Sequence, residues 1–459
     1  MFRPALTAIM IATALPAFAA VPQKDADEAL DILKRGIAFR TVEGQTDQFT
    51  GYAAYLKSVL TAAGFAEGDV TVTPIGGAVT LVARYAGTDA TAKPIVLSGH
   101  MDVVEAKRAD WERDPFVPVV EGGYVYGRGS LDNKYDVLMM VEALVRLKRA
   151  GFKPRRDLIL ALSGDEETGM VTSSALAEQF RGKAEMVLNG DAGGGTLGAD
   201  GKPLVYALQA GEKTYADFDI SIADEGGHSS RPGASNAIYS LAKVIDRIAA
   251  FQFPPQSNEL TRTFFNASAK RAEPKLAAAM RAFAANPEDA GAAATLSANP
   301  EYVGQVRTTC VATMLNGGHA HNALPQKATV SVNCRIFPGV AIDTVKAKLL
   351  EVAGDPKAVI TTLDKPTASD ASPLRPDVMA AVKKAVAARY PGLEVVPQMS
   401  AGATDSLYFR AAGLPSYGVG TVFLKPEDDF SHGLNERVPV AGIAGSLAQW
   451  DSVLRKLGR

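Results

Sequence analysis

Two adjacent glutamates, Glu166 and Glu167, stand in the motif SGDEETG (residues 163–169), directly after a short apolar run. That run, residues 157–162, is typical of a buried strand, and ligands of α/β sheets bind beyond the C-terminal ends of strands. Adjacent carboxylates repel each other, so a cleft that holds both usually supplies positive charge, and a metal ion is the strongest source. One glutamate can then bind the metal while the other acts as a base. Taken alone, the motif also fits a solvated acidic turn.

Four further stretches carry residue types that bind metals. The apolar run 94–99 ends in His100 with Asp102 two residues later, Asp132 opens a predicted helix at 135–149, Asp191 ends a third strand, and His432 follows an apolar strand at 414–422. The first two have structural alternatives: a hydrogen-bonded His-x-Asp pair for His100 and Asp102, and an N-cap for Asp132. Three successive strands nevertheless end in such residues, which independent surface turns would rarely produce.

The composition is that of an ordinary globular protein. The chain has 459 residues with 47% hydrophobic and 21% charged residues and a formal net charge of −2. No basic stripe indicates a nucleic-acid partner. Residues 1–19 resemble a secretory signal peptide that is cut after Ala19, with an uncleaved anchor as the alternative. The mature protein is therefore expected to be soluble, secreted or periplasmic, without a stable membrane anchor, and its roughly 440 residues suggest two domains.

The pattern of elements changes near Lys213. From there, strands and helices follow in the order βαββαβ: strands at 215–222, 308–315, 328–337 and 358–363, with helices at 235–250 and 342–353. This order predicts a ferredoxin-like sandwich. A segment at about 251–306 is a long insertion between its first helix and second strand; it is expected to form helices that extend the lid, and the sequence assigns it no role.

Nine motifs in order resemble the co-catalytic di-zinc exopeptidase family that includes aminoacylase, carnosine dipeptidases, glutamate carboxypeptidase and succinyl-diaminopimelate desuccinylase. They are SGHMDVV, GRGSLDNK, SGDEETG, NGD, GGHSSRP, HNALP, NCRIFPG, GATDS and SHG, and they span nearly all of the mature chain. The resemblance implies a zinc-exopeptidase-like α/β/α catalytic domain with an inserted ferredoxin-like lid and dimerisation domain. The predicted boundaries are 20–212 and 367–459 for the catalytic domain and 213–366 for the lid.

The resemblance also implies a complete site for two Zn²⁺ ions per subunit, with Co²⁺ or Mn²⁺ as substitutes. His100 and Asp191 would hold one ion, Glu167 and His432 the other, Asp132 would bridge both, and Asp102 would orient His100. Glu166 would be the general base that takes a proton from a water bridging the metals and passes it to the leaving nitrogen.

Lid residues would complete the site, by the same resemblance. His228 would reach the metals of the neighbouring subunit in a homodimer, Asn322 would contact the substrate, and Arg335 would grip its carboxylate; a surface position for His228 and a salt bridge for Arg335 are the alternatives. Gly402 and Thr404 belong to a loop that would line the substrate pocket. The resemblance further predicts a cis peptide bond between Asp132 and Asn133.

Cys310 and Cys334 are the only two cysteines. They are equally distant in sequence from Asn322, in two strands joined by one loop, so antiparallel pairing can place them opposite each other. An oxidising compartment favours a disulfide, and two buried thiols are the alternative.

The sequence therefore predicts an exported zinc-dependent amidohydrolase that cleaves a peptide or N-acyl amide bond near a free carboxylate. Carboxypeptidase or dipeptidase activity is the first expectation, and hydrolysis of N-acyl amino acids is the second. A periplasmic solute-binding protein is the alternative from another class, but it has no need of metal ligands at the ends of strands.

Overall fold

The computed structural model of the protein describes residues 21–459; the predicted signal peptide, residues 1–19, lies outside the described residues. The strands are β1 Val70–Ile75, β2 Ala78–Tyr85, β3 Ile95–His100, β4 Val119–Glu121, β5 Tyr124–Tyr126, β6 Leu158–Ser163, β7 Met186–Asn189, β8 Gly194–Leu197, β9 Pro203–Glu212, β10 Thr214–Ala223, β11 Gly227–His228, β12 Thr309–Gly317, β13 Ala323–Leu324, β14 Lys327–Ile336, β15 Ala358–Thr362, β16 Val395–Ser400, β17 Ser416–Gly418, β18 Phe423–Leu424 and β19 Arg437–Pro439. The helices are α1 Gln23–Ile37, α2 Thr46–Ala62, α3 Lys134–Arg149, α4 Val171–Phe180, α5 Ala237–Ala250, α6 Glu259–Ser268, α7 Pro274–Ala285, α8 Ala290–Ser297, α9 Pro300–Val306, α10 Ile342–Ala353, α11 Pro376–Arg389, α12 Ser406–Ala411 and α13 Ile443–Leu457.

A ten-stranded sheet forms the centre of the catalytic domain. Its order is β1-β2-β6-β3-β7-β17-β9-β8-β18, with β16 also paired to β9. β6, β3 and β7 are parallel neighbours, and every residue of the three strands is buried. Strands covered on both faces read as continuous apolar runs, which is why the sequence marks them so clearly.

Helices cover both faces of this sheet. Alternate residues of β3 and β6 point into two different cores: Leu97 and Leu160 pack with α1, α2, α3, α11 and α13, whereas Val96 and Ala161 pack with α4 and α12. This arrangement is the predicted α/β/α catalytic domain.

The lid has the predicted βαββαβ order. Its elements follow one another as β10, α5, β12, β14, α10 and β15. The four strands form an antiparallel sheet in the order β12-β14-β10-β15, and α5 and α10 pack on a core of its apolar residues. The predicted fold class, a catalytic domain with an inserted ferredoxin-like lid, is confirmed. The lid elements lie within 213–366; the domain boundaries themselves stay a prediction.

The long insertion folds into four helices, α6 to α9. They share a small core in which Phe265, Phe283 and Leu296 have no solvent exposure. α6 also packs against β16 of the catalytic domain. The insertion is therefore attached to the catalytic sheet as well as to the lid from which it emerges.

A disulfide joins Cys310 in β12 to Cys334 in β14, with 4.1 Å between the Cα atoms. The two residues stand directly opposite each other in the antiparallel register. Within residues 21–459, none of the helices combines the length and the apolar character that a membrane span requires.

Candidate metal centre

Three adjacent strand ends bring the predicted ligands together. Because β6, β3 and β7 are parallel neighbours, their C-terminal ends meet at one edge of the sheet. His100, Glu166 and Asp191 each present a ligand atom within 4.8 Å of the others, and His100, Asp132 and Glu167 form a second such group. His100 belongs to both groups, so the two form one continuous cluster.

Asp132 lies between the two histidines. Its Oδ1 is 3.1 Å from Nε2 of His100, and its Oδ2 is 3.1 Å from Nε2 of His432. His432 Nε2 is also 2.9 Å from Oε1 of Glu167, and His100 Nε2 is 3.5 Å from Oδ1 of Asp191. The peptide bond between Asp132 and Asn133 is cis. The carboxylate of Asp132 thus faces one histidine with each oxygen.

Asp102 supports two members of the cluster. Its Oδ2 accepts a hydrogen bond from the backbone N–H of Glu167 at 2.9 Å, and its Oδ1 lies 3.4 Å from Nδ1 of His100. A carboxylate behind a histidine fixes the orientation of the imidazole ring. Asp102 therefore positions His100 and Glu167 at the same time.

A buried glutamate that the sequence analysis did not select holds the Asp132 loop. Glu436 has no solvent exposure, and its carboxylate accepts hydrogen bonds from the backbone N–H groups of Gly129, Leu131 and Asp132 at 2.7–3.0 Å. It also pairs with Arg128 at 2.6 Å. Arg128 in turn donates to the backbone carbonyls of His432 and Gly433, so this pair connects the loops that carry Asp132 and His432.

Asp405 is a second residue that the sequence analysis missed as a site residue. It is fully buried, and its Oδ2 accepts a hydrogen bond from Ser163 Oγ at 2.8 Å. Its negative charge acts on both Glu166 and Asp191. Its motif, GATDS, was identified only as a pocket-lining loop, and nothing in the local sequence indicates that its aspartate lies behind the glutamate pair.

The cluster holds more negative than positive charge. Burial raises the pKa of Asp191 to about 7 and that of Glu166 well above its usual value, and neighbouring carboxylates add to both shifts. Hydrogen bonds that His432 donates to the carboxylates of Asp132 and Glu167 raise its pKa to about 10. Burial lowers the pKa of His100, but Asp191, Asp102 and Asp132 together raise it well above its usual value. In the described part of the chain, these two histidines are the only cationic partners in the cluster's ion pairs.

This donor set fits two divalent metal ions. It consists of imidazole nitrogens and carboxylate oxygens, which zinc binds in catalytic sites, and thiolates are absent because both cysteines are in the disulfide of the lid. Cations would also neutralise the carboxylates of Asp132, Glu166, Glu167 and Asp191, none of which pairs with a lysine or arginine of the described chain. The individual ligand roles stay predictions.

The predicted lid residues lie apart from this cluster. Arg335 is partly buried, lies with its guanidinium over the ring of Tyr215 and donates to the carbonyl of Ala401 at 3.2 Å. His228 and Asn322 are exposed at a two-residue strand pairing, and within residues 21–459 His228 Nδ1 bonds only to Ser230. Among the described residues, no hydrogen bond or ion pair connects His228 to the carboxylates of its own chain.

The two predicted loop residues differ in exposure. Gly402 is exposed and donates its N–H to Ser400. Thr404 is buried, and its hydroxyl donates to Glu212 and accepts from Ser406 N–H. Gly402 is thus open to a ligand while Thr404 is engaged within the protein; a substrate contact at either stays a prediction.

Comparison with known proteins identifies the family. Residues 96–456 match the family model described as Peptidase family M20/M25/M40. The chain belongs to this family. The family predicted from the motifs is therefore confirmed, and the chain is a metal-dependent hydrolase acting on peptide or amide bonds. A solute-binding protein is excluded.

Relatives and solved structures agree with this assignment. The chain is 27% identical over 435 residues to the N-fatty-acyl-amino acid synthase/hydrolase PM20D1 of Xenopus tropicalis, covering 91% of this chain and 83% of that protein. It is 26% identical over 387 residues to the probable carboxypeptidase S-like 2 of Dictyostelium discoideum, covering 79% and 71%. The M20 metallo-carboxypeptidase Sso-CP2 of Sulfolobus solfataricus superposes with a TM-score of 0.71 at 19% identity, covering 94% of this chain and 99% of that one. Human carnosine dipeptidase 1 gives 0.64 at 16% identity, covering 95% and 98%.

Proposed function

We propose that the chain is an exported di-zinc hydrolase that cleaves an amide whose nitrogen belongs to an amino acid with a free carboxylate. The observation that carries this proposal is the carboxylate of Asp132 between His100 and His432, with Glu167 and Asp191 on either side. One carboxylate between two histidine–carboxylate pairs is the arrangement that two bridged metal ions require.

Each ion would have its own protein ligands. His100 and Asp191 would hold one zinc, Glu167 and His432 would hold the other, and Asp132 would belong to both sites. Bound there, the two ions supply the positive charge that lowers the pKa of a water and polarises the scissile carbonyl.

Glu166 is the proposed general base. It lies within 4.8 Å of His100 and Asp191 without a hydrogen bond or ion pair of its own among the described residues. Burial raises the pKa of its carboxyl above the usual range, which matches a group that takes a proton and later returns it. Glu166 accepts the proton of the attacking water and transfers it to the leaving nitrogen.

Arg335 is the proposed partner of the substrate carboxylate. Its ring contact with Tyr215 and its bond to Ala401 fix the plane of the guanidinium, and that bond occupies one of five N–H donors. A planar fork suits bidentate binding of a carboxylate. Asn322 is proposed as a second substrate contact.

N-acyl amino acids come before peptides as the proposed substrates, which reverses the order expected from the sequence. PM20D1 of Xenopus tropicalis, aligned over 91% of this chain, carries N-fatty-acyl amino acids in its name. Peptides remain the second candidate, because carboxypeptidase S-like 2 of Dictyostelium discoideum also aligns over 79% of the chain.

The test is a substrate panel with the zinc-loaded protein. N-acyl amino acids and dipeptides are each paired with the same compound in which the carboxylate is amidated. We expect hydrolysis that a chelator abolishes and that falls by roughly tenfold or more on amidation, since a charge-assisted hydrogen bond contributes about 1.5–3 kcal/mol. Absence of hydrolysis with zinc, Co²⁺ and Mn²⁺ would refute the proposal.

We further propose that two lids pair in a homodimer. β12 is an edge strand of the lid, and Val311, Met314 and Leu315 on it are 59–70% exposed. An unpaired edge with apolar side chains is a surface that another strand or helix covers. Light scattering of the purified protein measures the mass, and a monomer at micromolar concentration would contradict this part.

Export rests on residues 1–19 and on the disulfide between Cys310 and Cys334, which an oxidising compartment maintains. The N-terminal residue of protein purified from the medium or periplasm should be Ala20. Retention of Met1 in fully cytoplasmic protein would contradict export.

A further inference from the structure

A cavity of about 560 Å³ lies directly beside the metal centre. Two proposed metal ligands, Asp132 and Asp191, form part of its wall, and the rest of the wall includes Leu131, Ala207, Phe264 and Val422. We call this space the insertion pocket, because Phe264 belongs to α6 of the four-helix insertion. Its volume falls within the range of about 300–1,000 Å³ that is typical of small-molecule sites.

α6 has one face for packing and another for the pocket. Leu260 and Phe265 are buried in neighbouring cores. Phe264 and Ser268, one helical turn apart, are only partly buried and line the pocket. Residues four apart lie on the same helix face, so the insertion presents one defined surface to this space.

The insertion is held against the catalytic domain as a fixed wall. Lys270 and Arg271, just after α6, pair with Glu394, just before β16, at 2.6 and 3.2 Å. The start of α6 is fixed by a capping box between Asn258 and Thr261. Such contacts position Phe264 relative to Asp191.

The pocket and the proposed carboxylate site lie on different structural units. In the described chain, no residue of the lid strands β10, β12, β14 or β15 lines the pocket, whereas Arg335 belongs to β14. A substrate whose carboxylate contacts Arg335 and whose amide lies at the metals therefore has its acyl side next to the pocket.

We propose that the insertion pocket binds an unbranched apolar acyl chain of the amide substrate. This inference rests on the proposed function. The side chains of Leu131, Phe264 and Val422 supply apolar contact, and the chain extends from the carbonyl at Asp132 and Asp191 towards α6.

Two cationic residues also line the pocket, but each already has a polar partner outside it. Arg271 pairs with Glu394 at 3.2 Å, and Lys425 donates to the carbonyl of Ala199 at 3.1 Å. The pocket is therefore assigned to an alkyl chain and not to an acyl group that ends in a carboxylate.

The experiment compares N-acetyl, N-hexanoyl and N-decanoyl derivatives of one amino acid with the zinc-loaded full-length enzyme. Each methylene that leaves water contributes up to about fourfold, the equivalent of about 0.8 kcal/mol. With allowance for incomplete burial, we expect kcat/KM for the decanoyl substrate to exceed that for the acetyl substrate by at least about thirtyfold. An adipoyl derivative should be poorer than the hexanoyl one. A flat series, or a preference for adipoyl, would overturn the inference while the proposed function stands.

Ser268→Phe places an aromatic ring where two or more methylenes would lie, so the decanoyl-to-acetyl ratio should fall by roughly tenfold or more. Asn266→Phe is the matched control: it adds the same ring to an exposed position of α6 that does not line the pocket, and the ratio should keep its wild-type value. Phe264→Ala is the second variant if Ser268→Phe does not fold, and it should lower the ratio because it removes the aromatic wall. A ratio that neither variant changes would refute the assignment.

A direct binding measurement separates failure of the inference from failure of the proposed function. Calorimetric titration of the zinc-loaded protein with decanoate, the acid that hydrolysis of the decanoyl substrate releases, needs no turnover. Suppose that no amide is hydrolysed, but that decanoate binds and Ser268→Phe weakens this binding at least tenfold. The pocket assignment then holds, and the proposed function fails. Absence of decanoate binding to wild-type protein would overturn it.

Discussion

Glu142 on α3 is a buried carboxyl group without a partner. Its side chain has no solvent exposure, and neither carboxyl oxygen has a hydrogen-bond partner in the described structure. Burial raises its pKa from 4.5 to about 8; Glu28 and Asp25 act in the same direction, and Arg149 and Arg146 oppose them. The folded protein therefore keeps this carboxyl group protonated at neutral pH.

The consequence for stability has a defined sign. In the unfolded chain Glu142 ionises above pH 4.5, whereas in the folded chain it stays neutral up to about pH 8. The folded state thus binds more protons than the unfolded state between these two pH values. The contribution of Glu142 to the unfolding free energy therefore falls as pH rises from 4.5 and becomes constant above 8. One pKa unit corresponds to about 1.4 kcal/mol, and linkage gives a loss of about 2–3 kcal/mol between pH 5 and pH 7.

Glu142→Gln keeps the size of the side chain and removes the titration. We expect the variant to gain about 2–3 kcal/mol relative to wild type between pH 5 and pH 7. Urea unfolding at pH 5, 6, 7 and 8, with both proteins at the same zinc concentration, measures the difference. Glu178→Gln is the control, because that carboxylate is exposed and paired with Arg181, which lowers its pKa. Parallel stability curves for Glu142→Gln and wild type would refute the reasoning.

Other predictions concern catalysis, assembly and the lid. Glu166→Gln should lose nearly all turnover and keep both zinc ions, whereas Glu167→Gln should also lose zinc, as metal analysis after dialysis will show; near-normal turnover of Glu166→Gln would disprove the base assignment. If the His228 imidazole stabilises the oxyanion, His228→Ala should lower kcat about 10²–10³-fold. Mixing this variant with Glu166→Gln under subunit exchange should restore activity. Exchange without recovery of activity would exclude action of His228 across subunits. Replacing Cys310 and Cys334 with Ala should lower lid stability by about 3–4 kcal/mol, since the disulfide closes a loop of about 25 residues; unchanged denaturant midpoints would contradict this.

The parts of the site that follow strands were predictable. β3, β6 and β7 are continuous apolar runs because both of their faces are covered, and parallel neighbours end at one edge. The amino-acid sequence alone therefore places His100, Glu166 and Asp191 together. The lid strands were predicted for a related reason, since period-two alternation marks a sheet with one covered face.

The supporting residues were not predictable, because their partners are remote in sequence. Asp405 bonds to Ser163, and Glu436 bonds to the loop at 129–132, but local periodicity carries no information about either contact. Within the predicted strand at 414–422, only Ser416–Gly418 (β17) is a strand; β18 begins at Phe423, beyond the predicted end, and pairs with a different neighbour. For the insertion, the sequence indicated helices but not which surface of α6 lines the insertion pocket.

The link between Arg128, Glu436 and the loops of Asp132 and His432 also bears on biosynthesis. Glu167 and His432 are 265 positions apart, and at a synthesis rate of about 5–20 residues per second the ribosome needs roughly 10–50 s to cover that distance. During this interval the residues proposed as the earlier ligands lack His432, and the Asp132 loop lacks the Glu436 carboxylate that accepts hydrogen bonds from its backbone N–H groups. On the proposed ligand assignment, catalytic competence is therefore acquired only when residues 430–459 have joined the fold, and a chain truncated before His432 is expected to be inactive.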